Sequence, residues 1–369
     1  MLGLLQRNGI GTPLAVAEVV RSDDELRAQR RRSNEALVTQ LRECEVSERL
    51  HDVTVKDSML GRMSVPMPVS DAMLEEVLLQ PRFGVMQLRA DGSLKLRAVD
   101  HFSWSAKRQR KLHNVNGYAF PTEKLAHDSL DKLAGSMRRM VDRGKFVPGL
   151  LKADVDSAYR RVPLMPSHRW ACGVAYKLQG AVMCAIHHAC PFGAIASVHA
   201  WQRIGAALCF LSRKLLKLSM HRYVDDYFAT DRPVTLEHGL QCFARLIRVL
   251  FGADAVADGK LDCGDSLCIL GVVISMSEHG FRCRPDDMKI AKRVSALRRA
   301  LADNVLQPGD ASKLAGKLSW GGSQLFRRFG RAMLRPIFDR QTRRDQTRNA
   351  ICHEICRIND LCCAIKFQL

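Results

Sequence analysis

Two segments of this sequence that are predicted to be buried strands end in acidic residues. Residues 150–153 (LLKA) lead directly into Asp154, and a predicted hairpin over residues 220–230 carries Asp225 and Asp226 at its turn. Carboxylates that converge at strand ends repel one another and resist ionisation unless cations lie between them. A fold built on these segments therefore has to supply positive charge at that point.

The same three carboxylates favour a particular cofactor. Mg²⁺ binds carboxylate oxygens, keeps several of its waters and accepts further oxygens from substrate phosphates. Two such ions suit phosphoryl transfer, because one activates a hydroxyl and the other stabilises the leaving group. We therefore predict two Mg²⁺ ions, with Mn²⁺ as the alternative metal. Two other interpretations remain open at this point. Asp is a common turn residue, and Asp154-Val155-Asp156 also matches the DxD motif of many glycosyltransferases.

Charge favours a polyanionic partner. The 369 residues contain 57 Lys and Arg against 38 Asp and Glu, which gives a net charge of +19. Such an excess is typical of proteins that bind nucleic acid or an anionic membrane. No run of eighteen apolar residues and no secretory leader is recognisable, so we expect a soluble, intracellular protein without membrane association.

The 13 cysteines suit a reducing compartment, where most act as small buried hydrophobes. A zinc site in the tail is the alternative use of the group Cys352, His353, Cys356, Cys362 and Cys363, which also fits one helical stretch.

Hydrophobic periodicity predicts an α+β arrangement with a helical C-terminal third. Helices are expected over 14–50, 121–143 and 235–251, and from Gly193 to about residue 217. Strand pairs are expected over 83–88 with 94–99, 170–176 with 181–186, and 220–224 with 227–230. Single strands are expected over 150–155 and 267–275, and the chain from residue 286 onward is expected to be helical and basic.

Several motifs resemble those of reverse transcriptases. Tyr223-Val224-Asp225-Asp226 resembles their YxDD box, and residues 153–159 (ADVDSAY) are similar to their first palm motif. Residues 191–193 (PFG) and 201–203 (WQR) resemble a segment of retrotransposon enzymes near the template and incoming nucleotide. Further along, Lys260, residues 269–272 (ILGV) and residues 313–320 (KLAGKLSW) resemble the motif-D lysine, the primer grip and the thumb.

The resemblance implies a right-hand polymerase fold with fingers, a palm built on a central antiparallel sheet, and a helical thumb. The implied order is an N-terminal helical extension (1–80), fingers (81–150), palm (151–166), fingers (167–192), palm (193–284), thumb (285–345) and a helical tail (346–369). No RNase H or integrase segment is recognisable after the thumb, so we expect the polymerase portion alone.

Site residues follow from the same resemblance. The implied catalytic residues are Asp154, Asp225, Asp226 and Lys260, and the implied metal ligands are Asp154, the Val155 carbonyl, Asp225 and Asp226. The incoming nucleotide is expected to meet Lys95, Arg97, Tyr159, Phe192, Gly193 and Gln202. Primer and template are expected to meet Tyr223, Leu270, Gly271, Lys313, Lys317, Arg327, Arg328 and Arg331.

The implied activity is RNA-directed DNA synthesis, in which deoxynucleoside triphosphates are added to a primer on an RNA or DNA template. Phe192 stands where retroviral enzymes carry Gln, which favours the retrotransposon branch, and the bulky Tyr159 favours deoxynucleotides. The alternative is a catalytically silent relative that only binds nucleic acid.

Overall fold

The computed structural model describes residues 23–88, 92–105, 114–119, 123–256, 258–278, 280–303, 305–325 and 334–342. Their contacts divide the chain into two units. The first contains the described residues of Met1–Ala126, Val155–Leu208 and Phe251–Ala255. The second contains those of His127–Asp154, Cys209–Leu250 and Val256–Leu369.

The α-helices and strands of the described residues are numbered separately in chain order. The helices are α1 (Asp24–Ala28), α2 (Arg30–Gln40), α3 (Ser47–Met59), α4 (Asp71–Glu76), α5 (Leu130–Gly144), α6 (Ile195–Leu215), α7 (Pro233–Phe251), α8 (Asp287–Ala302), α9 (Pro308–Leu325) and α10 (Arg335–Thr342). The strands are β1 (Met67–Pro68), β2 (Leu79–Leu88), β3 (Leu94–Asp100), β4 (Gly149–Asp154), β5 (Gly173–Leu178), β6 (Ala181–Ile186), β7 (His221–Tyr223), β8 (Asp226–Asp231), β9 (Asp262–Gly264), β10 (Ser266–Ile269), β11 (Val272–Ser277) and β12 (Gly280–Pro285).

The first unit is built on a mixed sheet with strand order β1-β6-β5-β2-β3. Only β2 and β5 pair in parallel, and the other neighbours are antiparallel. The predicted hairpin turn between β5 and β6 is confirmed, since Gln179 (φ 48°) and Gly180 (φ 80°) both adopt the left-handed conformation that tight hairpins require. The strand predicted from Trp170 begins instead at Gly173, because Pro166–Ala171 forms a 3₁₀ helix.

The prediction of one continuous helix over 14–50 is wrong. The described part of that range holds α1, α2 and the start of α3, with an extended break after Gln40. Within the break, the Glu43 carboxylate accepts hydrogen bonds from the backbone N–H groups of Gln179 (2.6 Å) and Gly180 (3.0 Å). The break therefore carries a contact to a turn 136 residues further along the chain, which the local sequence does not reveal.

One glycine of the first unit lies against a buried ion pair. The Arg82 guanidinium donates to both carboxylate oxygens of Asp100, at 3.0 and 3.2 Å. Gly193 adopts φ 93°, and a Cβ placed on it would lie only 2.2 Å from the Asp100 carbonyl oxygen. Both the conformation and the lack of space therefore require glycine at this position.

The second unit contains an antiparallel sheet with strand order β7-β8-β4-β9. Helix α5 covers it, with Leu133 and Met137 packed in one cluster with Leu150 and Phe228. The helix predicted over 121–143 begins only at Leu130, after an extended Ser129.

The strand predicted over 267–275 is two strands. Leu270 (φ 51°) and Gly271 (φ 80°) form a tight turn between β10 and β11, and β12 completes a three-stranded antiparallel sheet. The apolar run continues through the turn, so Gly271 alone signalled the reversal in the sequence.

The helical C-terminal third is confirmed for the residues that the structure describes. Helices α8 to α10 enclose their own cluster, which includes Leu297, Ala311, Leu314 and Ile337. Arg327, Arg328, Arg331 and the cysteine-rich tail lie outside the described residues. Among the helices that are described, none has the length and apolar character needed to cross a membrane.

We expect Gly193→Ala to lower the free energy of unfolding by about 2 kcal/mol or more, since it adds a steric clash to an unfavourable φ. Gly180→Ala is the matched control, because Gly180 has a similar φ (80°) but nothing within 4 Å of the added Cβ. Its cost should be about 1 kcal/mol. Urea unfolding of both variants measures the difference, and equal losses would contradict the proposed clash.

Candidate active site

The carboxylates of Asp154 and Asp226 lie on paired strands. Asp154 is the last residue of β4 and Asp226 the first of β8, and the two are directly opposite in the antiparallel register. Side chains of directly opposite residues lie on the same face of a sheet. Lys152, two residues before Asp154, shares that face because strand side chains alternate.

Asp225 lies in the turn that precedes β8. Tyr223 pairs with Asp226, so the two-residue turn consists of Val224 and Asp225. The expectation that both aspartates occupy the turn is therefore corrected, since Asp226 already belongs to the strand. Val224 has φ 55°, which is unfavourable for a β-branched residue. Strain of this kind is concentrated at functional sites.

Limited hydration and repulsion among the three carboxylates make Asp226 harder to ionise. Limited hydration, together with the negative charges of Asp225 and Asp154, raises the pKa of Asp226 from 3.8 to about 6. Asp226 is reachable by solvent, but it lines a concave wall where neighbouring protein replaces part of its hydration. Lys260 partly offsets the repulsion, because its ammonium group donates a hydrogen bond to Asp154 Oδ2.

Asp154 and Asp226 line a cavity of about 530 Å³ within the second unit. Asp154, Asp226, Lys260 and Leu270 contribute to its wall. The sequence interpretation missed Lys152, which also lines the cavity and lies 3.2 Å from the Asp262 carboxylate. The signal was its position two residues before Asp154 on the same strand.

A buried polar network holds strand β7 behind the turn. The Asp128 N–H donates to the Arg222 carbonyl (2.8 Å), and the Arg222 N–H donates to the Asp128 carboxylate (3.1 Å). Ser136 Oγ lies 2.9 Å from His221 Nε2, and His221 Nδ1 lies 3.6 Å from Asp128.

The order Ser, His, Asp is that of a hydrolytic triad, but Ser136 is 2% exposed and accepts a hydrogen bond from Arg139. It therefore serves packing, not nucleophilic attack.

Tyr223 lies next to this network. Its ring packs on His127, with ring centroids 4.8 Å apart. The aromatic residue of the YxDD-like segment is thus supported from the segment that precedes α5.

The first unit brings together part of the predicted nucleotide contacts. The rings of Tyr159 and Phe192 are tilted against each other with centroids 5.0 Å apart, and Phe192 is 45% exposed. Gln202 is buried, and its side-chain amide donates to the Ala126 carbonyl (2.9 Å). Gly193 follows Phe192 directly.

Lys95 and Arg97 are exposed on β3, and their alternate positions place them on one face. Val155 is buried directly after β4. Asp156 lies beyond β4, which ends at Asp154. Its carboxylate accepts a hydrogen bond from the Ser157 hydroxyl (2.9 Å).

Lys313 and Lys317 lie in a cleft of about 620 Å³ between α8 and α9. Four further basic residues that the sequence interpretation missed line the same cleft: Lys289, Lys292, Arg293 and Arg299. Their helical spacing was the available signal, since residues three or four apart share one helix face. Lys289 also lies over the turn at Gly271, where its Nζ occupies the space that a Cβ would need.

The carboxylate cluster fits a divalent cation by its chemistry. Its donors are all carboxylates, which Mg²⁺ prefers, and their repulsion marks a deficit of positive charge. In the described part of the chain, however, no group of three or more His, Cys, Asp or Glu residues is already arranged to hold a metal.

No protein-family model matches the chain, and no curated protein matches it. Solved structures do. The foamy viral protease-reverse transcriptase in complex with dsDNA is similar with a TM-score of 0.54 and 13% identity, over 95% of this chain and 73% of that chain. A dRH form of that protein with ds DNA gives 0.55 and 12%, over 97% of this chain and 63% of that one.

The complex of the same viral protein with an RNA/DNA hybrid gives a TM-score of 0.54 and 14% identity, over 96% of this chain and 48% of that one. The chain thus spans less than two thirds of the second and third of these structures. The similarity shows that this chain has a reverse-transcriptase-like fold of mixed α+β type.

We expect Asp226→Asn to stabilise the metal-free protein above about pH 6. Because the folded state raises the pKa of Asp226 from 3.8 to about 6, it binds protons more tightly than the unfolded chain does. Stability should therefore fall as pH rises through that interval, and the amide removes this loss.

Denaturant unfolding in a metal chelator at about pH 5 and about pH 8 measures this gain, which should be larger at the higher pH. Asp262→Asn is the control, since Asp262 is paired with Lys152 at 3.2 Å and its loss should not stabilise the fold. An Asp226→Asn variant that is less stable at both pH values would contradict the repulsion.

Proposed function

We propose that this chain is a template-directed DNA polymerase of the reverse-transcriptase type, which adds deoxynucleotides to a primer 3′-hydroxyl. The observation that carries the proposal is the opposition of Asp154 and Asp226 on paired strands, with Asp225 in the adjoining turn. Carboxylates in this arrangement suit phosphoryl transfer, where the protein mainly positions groups and stabilises charge. The shared fold with the foamy viral enzyme supports the proposal.

Magnesium is the proposed cofactor, held by Asp154, Asp225 and Asp226 with the Val155 carbonyl as a further donor, and Mn²⁺ is the alternative. When bound, the ions would activate the primer hydroxyl and stabilise the charge on the departing pyrophosphate. Lys260 holds Asp154 by a hydrogen bond. A positioned lysine can also donate a proton to a leaving group, and we assign that role to Lys260.

The proposed partners are a primed RNA or DNA template and deoxynucleoside triphosphates. The neighbouring viral structures contain dsDNA or an RNA/DNA hybrid, which supports a nucleic-acid partner. The basic cleft that includes Lys313 and Lys317 supports contact with phosphates, which positions a duplex without reading its sequence. Phe192, in place of the retroviral Gln, supports the retrotransposon branch.

The two carboxylates of the sheet and turn provide the decisive test. Asp154→Asn or Asp225→Asn should slow primer extension at least about a thousandfold, ~4 kcal/mol, because these groups act on the transition state. Binding of primed template should be unchanged. The assay is extension of a primed RNA template with Mg²⁺ and deoxynucleotides, alongside a binding measurement.

Asp131→Asn is the matched control, because Asp131 is an exposed carboxylate on α5 of the same unit. It should extend like the wild type. A wild-type protein that binds primed template yet extends nothing would identify the silent relative. An Asp154 or Asp225 variant with more than about a tenth of wild-type activity would remove that residue from the catalytic set.

We expect Tyr159 to exclude ribonucleotides by occupying the space of a 2′-hydroxyl. Discrimination by a clash is lost when the side chain is shortened. Tyr159→Ala and Tyr159→Val should raise ribonucleotide use relative to deoxynucleotide use by at least about tenfold, ~1.4 kcal/mol. Single-nucleotide extension with each sugar measures the ratio. An unchanged ratio would make Tyr159 only a packing partner of Phe192.

A further inference from the structure

We infer that Asn116 is a positioning residue for the nucleotide platform, which we define as Phe192, Gly193 and the ring of Tyr159. The inference rests on the proposed function for its consequence, but its geometry stands alone. Asn116 lies in a short 3₁₀ helix, Val115–Tyr118, and shows no motif in the sequence. All the contacts that carry the inference lie within the first unit.

Both the nitrogen and the oxygen of the Asn116 side-chain amide bond to the backbone of the segment from Gly193 to Ile195. Its Nδ2 donates to the Gly193 carbonyl (2.9 Å), and its Oδ1 accepts from the Ile195 N–H (2.8 Å). A carbonyl can only accept and an N–H can only donate, so these two partners fix the orientation of the amide. A carboxylate would place an oxygen against the Gly193 carbonyl, and an aliphatic side chain would satisfy neither group.

The hydrogen bond to Asn116 satisfies the Ile195 N–H, which has no acceptor within helix α6. Ile195 is the first residue of α6, where the first N–H groups have no acceptor inside the helix. Asn116 therefore fixes the start of α6 from a distant part of the chain. It also fixes the residue that follows Phe192.

The position of Asn116 is itself fixed by the segment beneath the platform. Its N–H donates to the Phe102 carbonyl (3.2 Å), and Nδ2 also donates to the Ser103 hydroxyl (2.8 Å). Just before this segment, the Asp100 carbonyl oxygen lies against Gly193, with no room for a Cβ. Gly193 is thus held by the Asp100 backbone on one side and by the Asn116 amide on another.

The consequence concerns Phe192, whose ring packs on Tyr159 with centroids 5.0 Å apart. Phe192 is 45% exposed, so its own packing holds it only in part, and the Gly193 contacts restrict its backbone. Small displacements of groups that position a substrate are costly to its productive binding. Asn116 thereby acts on nucleotide binding and sugar selection through the platform, not by touching the reacting atoms.

The test compares two variants with one matched control. Asn116→Asp keeps the size and the acceptor for Ile195 but loses the donor to Gly193, and Asn116→Ala loses both. Ser103→Ala is the control, because it removes a partner of the same Nδ2 but keeps the Asn116 groups that contact Gly193 and Ile195. Single-nucleotide extension yields KM, kcat and the ratio of ribonucleotide to deoxynucleotide use, with primed-template affinity and the unfolding midpoint measured in parallel.

Both Asn116 variants lose the donor to Gly193 and should raise the nucleotide KM by at least about tenfold, which is the size of one lost polar contact. The sugar ratio should shift toward ribonucleotides, while kcat and primed-template affinity stay within about twofold of the wild type. Ser103→Ala removes only a support of Asn116, so it should change KM and the sugar ratio less than either Asn116 variant does. A fall in kcat together with the unfolding midpoint, at constant KM and sugar ratio, would make Asn116 merely structural and overturn the inference.

A second readout does not depend on polymerase activity. Amide hydrogen exchange at Ile195 should remain slow in the wild type and in Asn116→Asp, and should become faster in Asn116→Ala, which lacks the acceptor. Equal exchange in all three would contradict the hydrogen bond from Ile195 to Asn116 and overturn the inference. Absence of extension by the wild type, with the exchange pattern as expected, would overturn the proposed polymerase function and leave the Asn116 contacts standing.

Discussion

Asp154 and Asp226 face each other across an antiparallel pair, with a third carboxylate in the adjoining turn. The register of β4 and β8 fixes this opposition, so the two side chains start from neighbouring positions on one face for as long as the strands stay paired. The resulting repulsion raises the pKa of Asp226 to about 6. Stability alone would select against such a cluster, because two neutral side chains would fit the same positions without the electrostatic cost. The proposed Mg²⁺ ions would offset this electrostatic cost.

Backbone strain lies close to the same carboxylates. Val224 adopts φ 55° directly before Asp225, although a glycine there would be free of strain. The strained turn is held from behind, where Asp128 and Arg222 exchange two hydrogen bonds. Networks of this kind maintain conformations that the local sequence disfavours. In the second unit, polar contacts thus stabilise the conformation of a turn as well as the core.

Features set by local periodicity could be predicted from the sequence, including β4 with its terminal Asp154 and the turn at Gln179. Features set by distant contacts could not. In the interruption after Gln40, Glu43 accepts hydrogen bonds from backbone groups 136 and 137 residues further along the chain. Trp170 was expected in a strand, yet Arg27 stacks on its ring at 3.9 Å. No pattern within either segment contains this information.

The same distinction holds for the site. The carboxylates were visible because acidic residues after apolar runs are unusual, and Lys260 was visible only through the resemblance. Asn116 was invisible, because an Asn in a short loop is ordinary and only its partners give it meaning.

The carboxylates and the basic cleft of the second unit carry opposite charges. The carboxylates would repel phosphate groups, and Lys260 offsets their charge in part by donating a hydrogen bond to Asp154. The basic cleft between α8 and α9 attracts polyanions, because its wall carries six Lys and Arg against two Asp. A polyanion can therefore be held by the cleft, but it can approach the carboxylates only when further positive charge arrives with it. Under the proposed function, an incoming deoxynucleoside triphosphate would arrive with a divalent cation and so supply the charge that the carboxylates lack.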